Sequence, residues 1–327
     1  ALIAPAAFAE PPATDYEPPR MDDGTPDMQG IWTNASLTTL YKSGDQPLVV
    51  SEKAAMAMAG MVEASAEADA KPTDPNDPAY AAGGPEVGGY NRFWMDFGSA
   101  LAKVRGEYRT AWIVDPPTGD LPYTEEGKAK EVARLEEQRN DFDNPEIRAA
   151  AERCTVGFGS TGGPPMLNVL YNNNYQIVQS PDLVAITVEM NHQTRMIRID
   201  EEHRPDVMRQ WLGDSVGHWD GDTLVVETTN FHPDISLRAA TRHRLYMSPD
   251  AKVKEAFTRI APDEIFYEFW VNDPEIFTQE WKGEMILRQA EGPIYEYACH
   301  EANYSLPGIL AGGRREEAEA AKNGGSE

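Results

Sequence analysis

A series of short segments with strand character, between residues 175 and 299, constrains the fold more than any other feature of the sequence. The segments are rich in β-branched and aromatic residues, and residues typical of turns separate them. The sharpest break is Asp220-Gly221-Asp222, which predicts a tight hairpin. We therefore predict a mainly β fold built on an antiparallel up-and-down barrel. The predicted strands are 175–179, 183–191, 195–199, 216–219, 223–229, 253–260, 264–271, 279–288 and 293–299.

The first half of the chain carries fewer strand signals and more helical ones. Ser51 stands where a helix N-cap is expected, ahead of a segment rich in Ala, Met and Glu. Thr124 stands in a similar place, although a Gly follows it where a capping-box Glu would be usual. We predict strands over 29–33 and 110–114 and helices over 51–68, 124–140 and 145–153.

Several strands of the second half are apolar on both faces, and only Glu268 interrupts the apolar run over 265–271. One face must meet the barrel interior, so the other needs cover from the N-terminal helices and long loops. The sequence therefore predicts a single barrel domain with flanking segments of low apolar content. The predicted parts are an extended arm over 10–27, the domain over 28–313 with helical wrapping over about 50–153, and a disordered acidic tail over 314–327.

Two features favour a periplasmic or secreted protein. Residues 1–9 read ALIAPAAFA, which is typical of the end of a signal peptide with a small-x-small cleavage site; the alternative is an Ala-rich disordered terminus. The chain has two cysteines, and an isolated pair usually bonds in an oxidising compartment. We therefore predict a disulfide between Cys154 and Cys299, the alternative being two separately buried thiols.

The charge and the motif content exclude several classes of partner. Lys and Arg total 29 against 54 Asp and Glu, and a net charge of -25 disfavours nucleic acid and anionic membranes. The sequence contains neither an apolar run of about 20 residues nor a nucleotide-binding glycine motif. We therefore expect no membrane insertion, no organic cofactor and no nucleic acid partner. No His or Cys spacing demands a metal, and the oligomeric state is not constrained.

Several local motifs combine aromatic residues with Asn, Asp or Gly. They are residues 24–34, 90–94, 171–178, 209–215, 221–230 and 295–301. Together they resemble a large family of exported bacterial proteins usually described as hypothetical, a resemblance that implies no activity and no catalytic residue. The Gly30-Ile31-Trp32 strand start is also similar to that of lipocalin-like (calycin) barrels.

Four residues are candidates for a catalytic role. His192 ends a row with Val184, Ile186, Val188 and Met190, so alternation predicts that it faces inward at a barrel mouth; the alternative is a hydrogen-bonded core histidine. Arg195 follows closely and could neutralise an anionic substrate or form a surface salt bridge. His300 and Glu301 follow Cys299 and could act together, unless a continuing strand directs them to opposite faces.

Other residues are candidates for binding a small ligand. The amides and phenols of residues 171–175 can orient a polar or aromatic compound, although a turn explains the Asn run equally well. Two further segments pair an Arg with an aromatic residue, and each could line a pocket or pack the N-terminal layer onto the barrel. The predicted binding residues are Tyr171, Asn172, Asn173, Tyr175, Arg92, Trp94, Arg209 and Trp211.

Two functions therefore compete. The first is a cofactor-independent enzyme, a lyase or isomerase acting by acid–base chemistry on a small aromatic or hydroxylated compound. The second is a periplasmic carrier of lipocalin type. A water-accessible cavity with His192, or with His300 and a carboxylate, favours the enzyme, whereas a sealed apolar cavity favours the carrier.

Overall fold

The computed structural model describes residues 11–70, 95–158, 161–301 and 303–324. Over these ranges the protein is mainly β, with fifteen strands and three helices. The strands are β1 (Gly30–Thr33), β2 (Val49–Val50), β3 (Lys103–Val104), β4 (Glu107–Arg109), β5 (Ile113–Asp115), β6 (Asn174–Ser180), β7 (Leu183–Val188), β8 (Thr194–Ile199), β9 (Asp214–Asp220), β10 (Thr223–Thr229), β11 (Leu237–Ala240), β12 (His243–Tyr246), β13 (Lys252–Ala261), β14 (Glu264–Asn272) and β15 (Trp281–Gln289). The helices are α1 (Glu52–Asp69), α2 (Glu125–Asn140) and α3 (Ser305–Gly324).

Nine strands close into a barrel, which confirms the predicted fold class. Their order is β1-β6-β7-β8-β9-β10-β13-β14-β15, and β1 closes the ring because it pairs with both β6 and β15. The predicted hairpin joins β9 to β10 at Gly221-Asp222, where Gly221 has a φ of 58°. Glycine adopts this left-handed conformation without a steric penalty.

The barrel is not wholly up-and-down, because β8 and β9 are parallel. A parallel pair requires a crossover connection, and residues 200–213 supply it outside the ring. The predicted up-and-down topology is wrong at this one junction. Elsewhere in the ring the pairings are antiparallel.

Large side chains fill the barrel. Strand alternation directs Tyr175 inward opposite Trp32, and Tyr267 inward opposite Phe257, and each of these rings is buried. Trp281 lies among them, edge-on to the Phe269 ring. Aromatic side chains bury more apolar area than any others, so the interior is the main hydrophobic core.

The predicted helix N-caps are confirmed. The Ser51 side chain accepts a hydrogen bond from the amide of Ala54, and the Thr124 side chain accepts one from the amide of Gly127. Gly127 also explains the missing capping-box Glu, because a Cβ there would lie 2.3 Å from the carbonyl oxygen of Ile276. α1 is largely exposed and so provides little of the predicted helical wrapping.

Three predicted segments differ in the structure. Residues 293–299 form no strand, because the disulfide and loop contacts fix them outside the barrel. Residues 145–153 form turns rather than a helix, and the Arg148 guanidinium there bonds to the carbonyl oxygen of Gln138. The tail predicted to be disordered belongs to α3 as far as residue 324, since its Ala, Glu and Arg content favours a helix.

The N-terminal arm lies along the barrel over its described part, residues 11–27. The Thr14 hydroxyl donates to the carbonyl oxygen of Ile260, and Arg20 forms an ion pair with Asp222 in the β9–β10 turn. The predicted signal-peptide segment, residues 1–9, lies outside the described residues. No helix in the described ranges has the length and apolar character needed to cross a membrane.

Candidate functional site

One end of the barrel is covered by residues 161–169, all of which are buried. The amide of Met166 donates to the Tyr267 hydroxyl at 3.0 Å, and the Pro164 carbonyl accepts from Arg238 at 2.5 Å. Arg238 belongs to β11, so the β11–β12 hairpin also contributes to this end. The glycine-rich sequence there serves as a packed cover for the barrel.

Four charged or phenolic side chains form an interior polar group beneath this cover: Arg195, Arg238, Glu255 and Tyr267. The Arg195 Nη1 atom donates to both oxygens of Glu255, at 2.8 and 3.1 Å, and the Tyr267 hydroxyl donates to the same carboxylate at 2.7 Å. Burial raises the pKa of Tyr267 far above its usual value, and the Glu255 charge adds to this. Tyr267 is therefore a fixed donor rather than a proton-transfer group.

Arg195 was predicted to lie beside His192, but the structure places its side chain elsewhere. Residues 195, 197 and 199 alternate inward along β8, so the Arg195 side chain enters the barrel and is 2% exposed. Its partner Glu255 comes from β13, across the ring, and forms a buried ion pair rather than a surface one. The predicted role in holding an anionic substrate next to His192 is thus not supported by its position.

The predicted disulfide between Cys154 and Cys299 is confirmed, with an S–S distance of 2.02 Å. It fixes the segment after β15 against the outside of the barrel. The amide of Tyr295 donates to Glu189 at 3.2 Å, and the Asn303 side chain donates to the carbonyl oxygen of Glu152 at 3.2 Å. A structural disulfide of this kind fits an oxidising compartment.

Two adjoining depressions, of ≈ 470 and ≈ 320 Å³, lie between this segment and the barrel, and together we call them the disulfide cleft. Their volumes are in the range that small-molecule sites occupy. Asn191, Tyr297 and Glu301 line both of them. Other side chains relevant to catalysis or binding each line one of the two depressions; they are Glu152, Phe158, Tyr171, Met190, His192, Glu296 and His300.

His192 lies in the disulfide cleft, and the prediction that it faces the barrel interior is wrong. β7 ends at Val188, and Asn191 and His192 adopt left-handed conformations with φ of 60° and 51°. The strand alternation therefore stops before His192, and its side chain is exposed. Its Nε2 atom accepts a hydrogen bond of 2.9 Å from the amide of Tyr297, which requires the neutral tautomer with its proton on Nδ1.

Aromatic rings form one wall of the cleft. The Tyr171 and Tyr297 rings are nearly parallel, with an interplanar angle of 19° and centroids 6.3 Å apart. The Phe158 ring meets Tyr171 edge-on, with centroids 6.2 Å apart. Such a wall suits a flat, apolar or aromatic ligand face.

His300 and Glu301 follow the disulfide in a turn, so the opposite-face constraint of a continuing strand does not apply to them. Both side chains are exposed, and both line the smaller depression together with His192 and Glu296. The cleft therefore contains two imidazoles and several carboxylates that water can reach. Among the residues that the structure describes, no group of three His, Cys, Asp or Glu side chains is arranged to hold a metal ion.

The Asn run predicted to bind a ligand is mainly structural. The Asn173 side chain is buried and donates to the carbonyl oxygens of Asp96 and Val169. Asn172 is a left-handed turn residue with a φ of 55°. The Tyr175 hydroxyl, inside the barrel, accepts a hydrogen bond from Asn34, so of this segment Tyr171 alone lines the disulfide cleft.

The two Arg–aromatic segments have different outcomes. Arg92 and Trp94 lie outside the described residues. Arg209 and Trp211 line a separate cleft of ≈ 500 Å³ beside β8, which we call the arginine cleft. Arg209 bonds there to Asp250 at 2.5 Å, and the Trp211 ring stacks on His232 with centroids 4.1 Å apart.

Two residues of the disulfide cleft, Phe158 and Tyr297, are not predicted by the sequence patterns. Tyr297 lies in the segment 293–299, which was predicted as a strand, and Phe158 lies in a glycine-rich segment to which no role was assigned. The signal available for both was their proximity in sequence to Cys299 and Cys154, because a disulfide brings its neighbours together. Compared with known proteins, the sequence matches no family model, and no curated protein is similar to it.

Proposed function

We propose that this protein is an exported, cofactor-independent enzyme, a lyase or isomerase that transfers protons on a small aromatic or hydroxylated compound in the disulfide cleft. The observation that carries the proposal is the meeting of His192, His300 and Glu301 in a water-accessible cleft beside an aromatic wall. Catalytic acids and bases must be able to reach the substrate, so their side chains cannot be engaged in structural ion pairs.

The hydrogen bond to Tyr297 assigns a role to His192. Its Nε2 lone pair is occupied by the Tyr297 amide, so the ring offers its Nδ1 proton to a substrate oxygen. The Glu301 carboxylate is the candidate base for an acidic C–H, because it lines the same cleft. The C–H proton passes to Glu301, while the Nδ1–H of His192 stabilises the negative charge that develops on the substrate oxygen.

The aromatic wall supports the substrate class. A flat ring can lie against Tyr171 or Tyr297 while its hydroxyl or carbonyl group points to the histidine end of the cleft. The wall lies outside the barrel, whereas a calycin-like barrel holds its ligand within. The closed barrel is compatible with a calycin-like architecture, but its filled interior favours the enzyme over the lipocalin-type carrier.

Proton exchange with solvent tests the proposal even though the physiological substrate is not identified. The protein is incubated in D₂O with uncharged aromatic ketones such as 2-hydroxyacetophenone and 4-hydroxyphenylacetone, and loss of the α-proton signal is followed by NMR. We expect the wild type to accelerate exchange. His192→Gln removes the Nδ1–H donor and should reduce the acceleration about 10²–10³-fold, which is typical of losing one donor to a developing oxyanion.

A matched control is His218→Gln, because His218 is an exposed histidine on β9 outside the disulfide cleft. This variant should retain the full exchange rate. Binding that is lost in Tyr297→Ala but never accompanied by exchange would favour the carrier instead. Absence of both binding and exchange across the ketones would contradict the proposal.

A further inference from the structure

The barrel wall has a gap beside the first half of β8. On one side β7 pairs with β8 from Thr194 onward, but on the other side β9 pairs only from Ile197 onward. Residues 209–213, before β9, run along the unpaired part, and the arginine cleft lies between the two. Residues 193–196 and 209–215, with Arg198 and Arg204, line this cleft. Arg195 is among the residues that line the arginine cleft, and it is buried at the inner side of the cleft, 2% exposed.

The buried Arg195 side chain has an unused hydrogen-bonding edge. Its bonds to Glu255 both come from Nη1, while Nε and Nη2 have no hydrogen-bond partner in the described part of the chain. The Nε–Nη2 edge of a guanidinium carries two parallel N–H groups that fit the two oxygens of a carboxylate. A buried donor without a partner destabilises the fold, and more so when it is charged, so an occupant of this edge is favoured.

The net charge of the interior polar group fits a ligand that carries a single negative charge. Glu255 is hydrogen-bonded to Arg195, whereas Arg238 forms no ion pair with a carboxylate of the described residues. Its guanidinium donates to the Pro164 carbonyl oxygen and lies over the Phe231 ring. Burial lowers the pKa of Arg238 to about 10, although Tyr267 and the Glu255 charge act in the opposite direction. One excess positive charge in the interior matches a monoanion better than a dianion.

We propose that the arginine cleft binds the carboxylate group of a small organic acid on the Nε–Nη2 edge of Arg195. Arg204 lies at the rim, 45% exposed and only loosely paired with Asp214 at 3.8 Å, so it attracts anions into the cleft. Trp211 lines the same cleft and offers an aromatic face to the organic part of the ligand. This site is separate from the disulfide cleft and does not depend on the function proposed for it.

Benzoate is the probe for this site, and benzamide is its uncharged control with nearly the same shape. In ¹⁵N-labelled protein, the Nε–H signal of Arg195 is assigned and followed during titration with each compound at constant ionic strength. We expect a saturable shift with benzoate and none with benzamide. Sulfate at equal ionic strength should leave the signal in place, because a dianion exceeds the interior charge.

Two variants locate the binding. Arg195→Lys keeps a positive charge for Glu255 but removes the two-pronged edge, so benzoate affinity should fall about 10- to 100-fold, the range for a lost hydrogen bond to a charged group. Arg204→Gln should weaken binding a few-fold and reduce its salt dependence. Arg315→Gln, in the exposed part of α3, should change neither.

The proposal is overturned if benzoate gives no saturable shift, if benzamide or sulfate shifts the signal equally, or if Arg195→Lys binds benzoate like the wild type. Should Arg195→Lys fail to fold, the wild-type titration and Arg204→Gln still decide. The readout is independent of catalysis and uses only charged or uncharged ligands that differ at the carboxylate. A failure of the exchange test in the disulfide cleft therefore leaves this result untouched.

Discussion

The barrel interior and the disulfide cleft treat ionisable side chains in opposite ways. Inside the barrel, Arg195 and Glu255 are almost fully buried and bond to each other across the ring. In the cleft, His192 and Glu301 are exposed on irregular backbone held by a disulfide. The difference separates a buried ion pair that connects strands of the barrel from side chains that are exposed to water.

Backbone regularity explains this contrast. A strand that alternates inward commits every second side chain to the core, so a charged residue there must find a partner inside, as Arg195 does. Residues 290–301 form a loop that follows no strand alternation, and the amide of Tyr297 in this loop bonds to His192. Functional residues are commonly found on such loops, positioned by a rigid scaffold.

The largest predicted effect on the free energy of unfolding is that of Glu255→Gln, in the barrel interior. This change leaves Arg195 as a buried charge without a counter-ion, which typically costs about 3–5 kcal/mol of unfolding free energy. Urea denaturation of the variant and the wild type measures it. The matched control is Glu275→Gln, which removes a surface pair with Lys130 and should cost at most about 1 kcal/mol. Equal losses in the two variants would contradict a special role for the interior pair.

The next effect concerns the disulfide, which closes a loop with a sequence separation of 145 residues. Changing Cys154 and Cys299 to Ser together should lower the stability by about 2–4 kcal/mol. Because the bond holds the segment after β15 against the outside of the barrel, we also expect this segment to open locally without it. In hydrogen exchange, the amide of Tyr297 should become unprotected while the amides of β14 stay protected. Simultaneous loss of protection in β14 would mean that the cleft and the barrel form one cooperative unit.

A third effect lies in the barrel wall, at the buried Asp214, which lines the arginine cleft. Burial alone would raise the pKa of Asp214, but hydrogen bonds from Arg198, His203 and the Arg204 amide lower it to about 2. A depressed carboxyl pKa stabilises the fold above the unfolded-state value, near 4, and this gain is lost as the pH falls toward 2. The stability difference between wild type and Asp214→Asn should therefore shrink by about 2 kcal/mol between pH 5 and pH 2. A difference that is constant over this range would contradict the assignment.

The barrel could largely be predicted from the sequence, because its signals are local. The Asp220-Gly221-Asp222 turn and the alternation in β6 and β7 each depend on residues close together in the chain. The parallel β8–β9 pair could not be predicted in this way, since the crossover over 200–213 carries no motif that distinguishes it from a hairpin loop. The partner of Arg195 was equally hidden, because Glu255 lies 60 residues further along the chain.

The candidate site was predictable only in part. His192, His300, Glu301 and Tyr171 do meet in one cleft, but strand alternation predicted that His192 lies inside the barrel. That error came from extending the alternation of β7 past its end, where two consecutive left-handed residues reverse the direction of the chain. Asn is common in this conformation, so Asn191 was the available signal for the strand end.

The smallest predicted effect comes from the left-handed residues Asn191 and His192. It also tests most directly the contrast between the barrel interior and the disulfide cleft. Asn191 and His192 carry a conformational cost that the cleft geometry requires, whereas the regular barrel strands carry none. Asn191→Gly should relieve part of that cost and stabilise the protein by less than about 1 kcal/mol. It should also loosen His192 and so speed the exchange of the Tyr297 amide, which bonds to its Nε2 atom.

Asp200→Gly is the matched control, because Asp200 has a similar φ of 56°, is exposed, and follows β8 rather than lining the disulfide cleft. Both variants should shift the urea midpoint upward by a similar amount, since each replaces a left-handed residue with glycine. Only Asn191→Gly should change the exchange rate at Tyr297. If both variants change that rate, or neither does, the left-handed pair does not hold His192 in place. Backbone strain that serves the cleft should affect the cleft when it is relieved, whereas strain relieved at Asp200 should not.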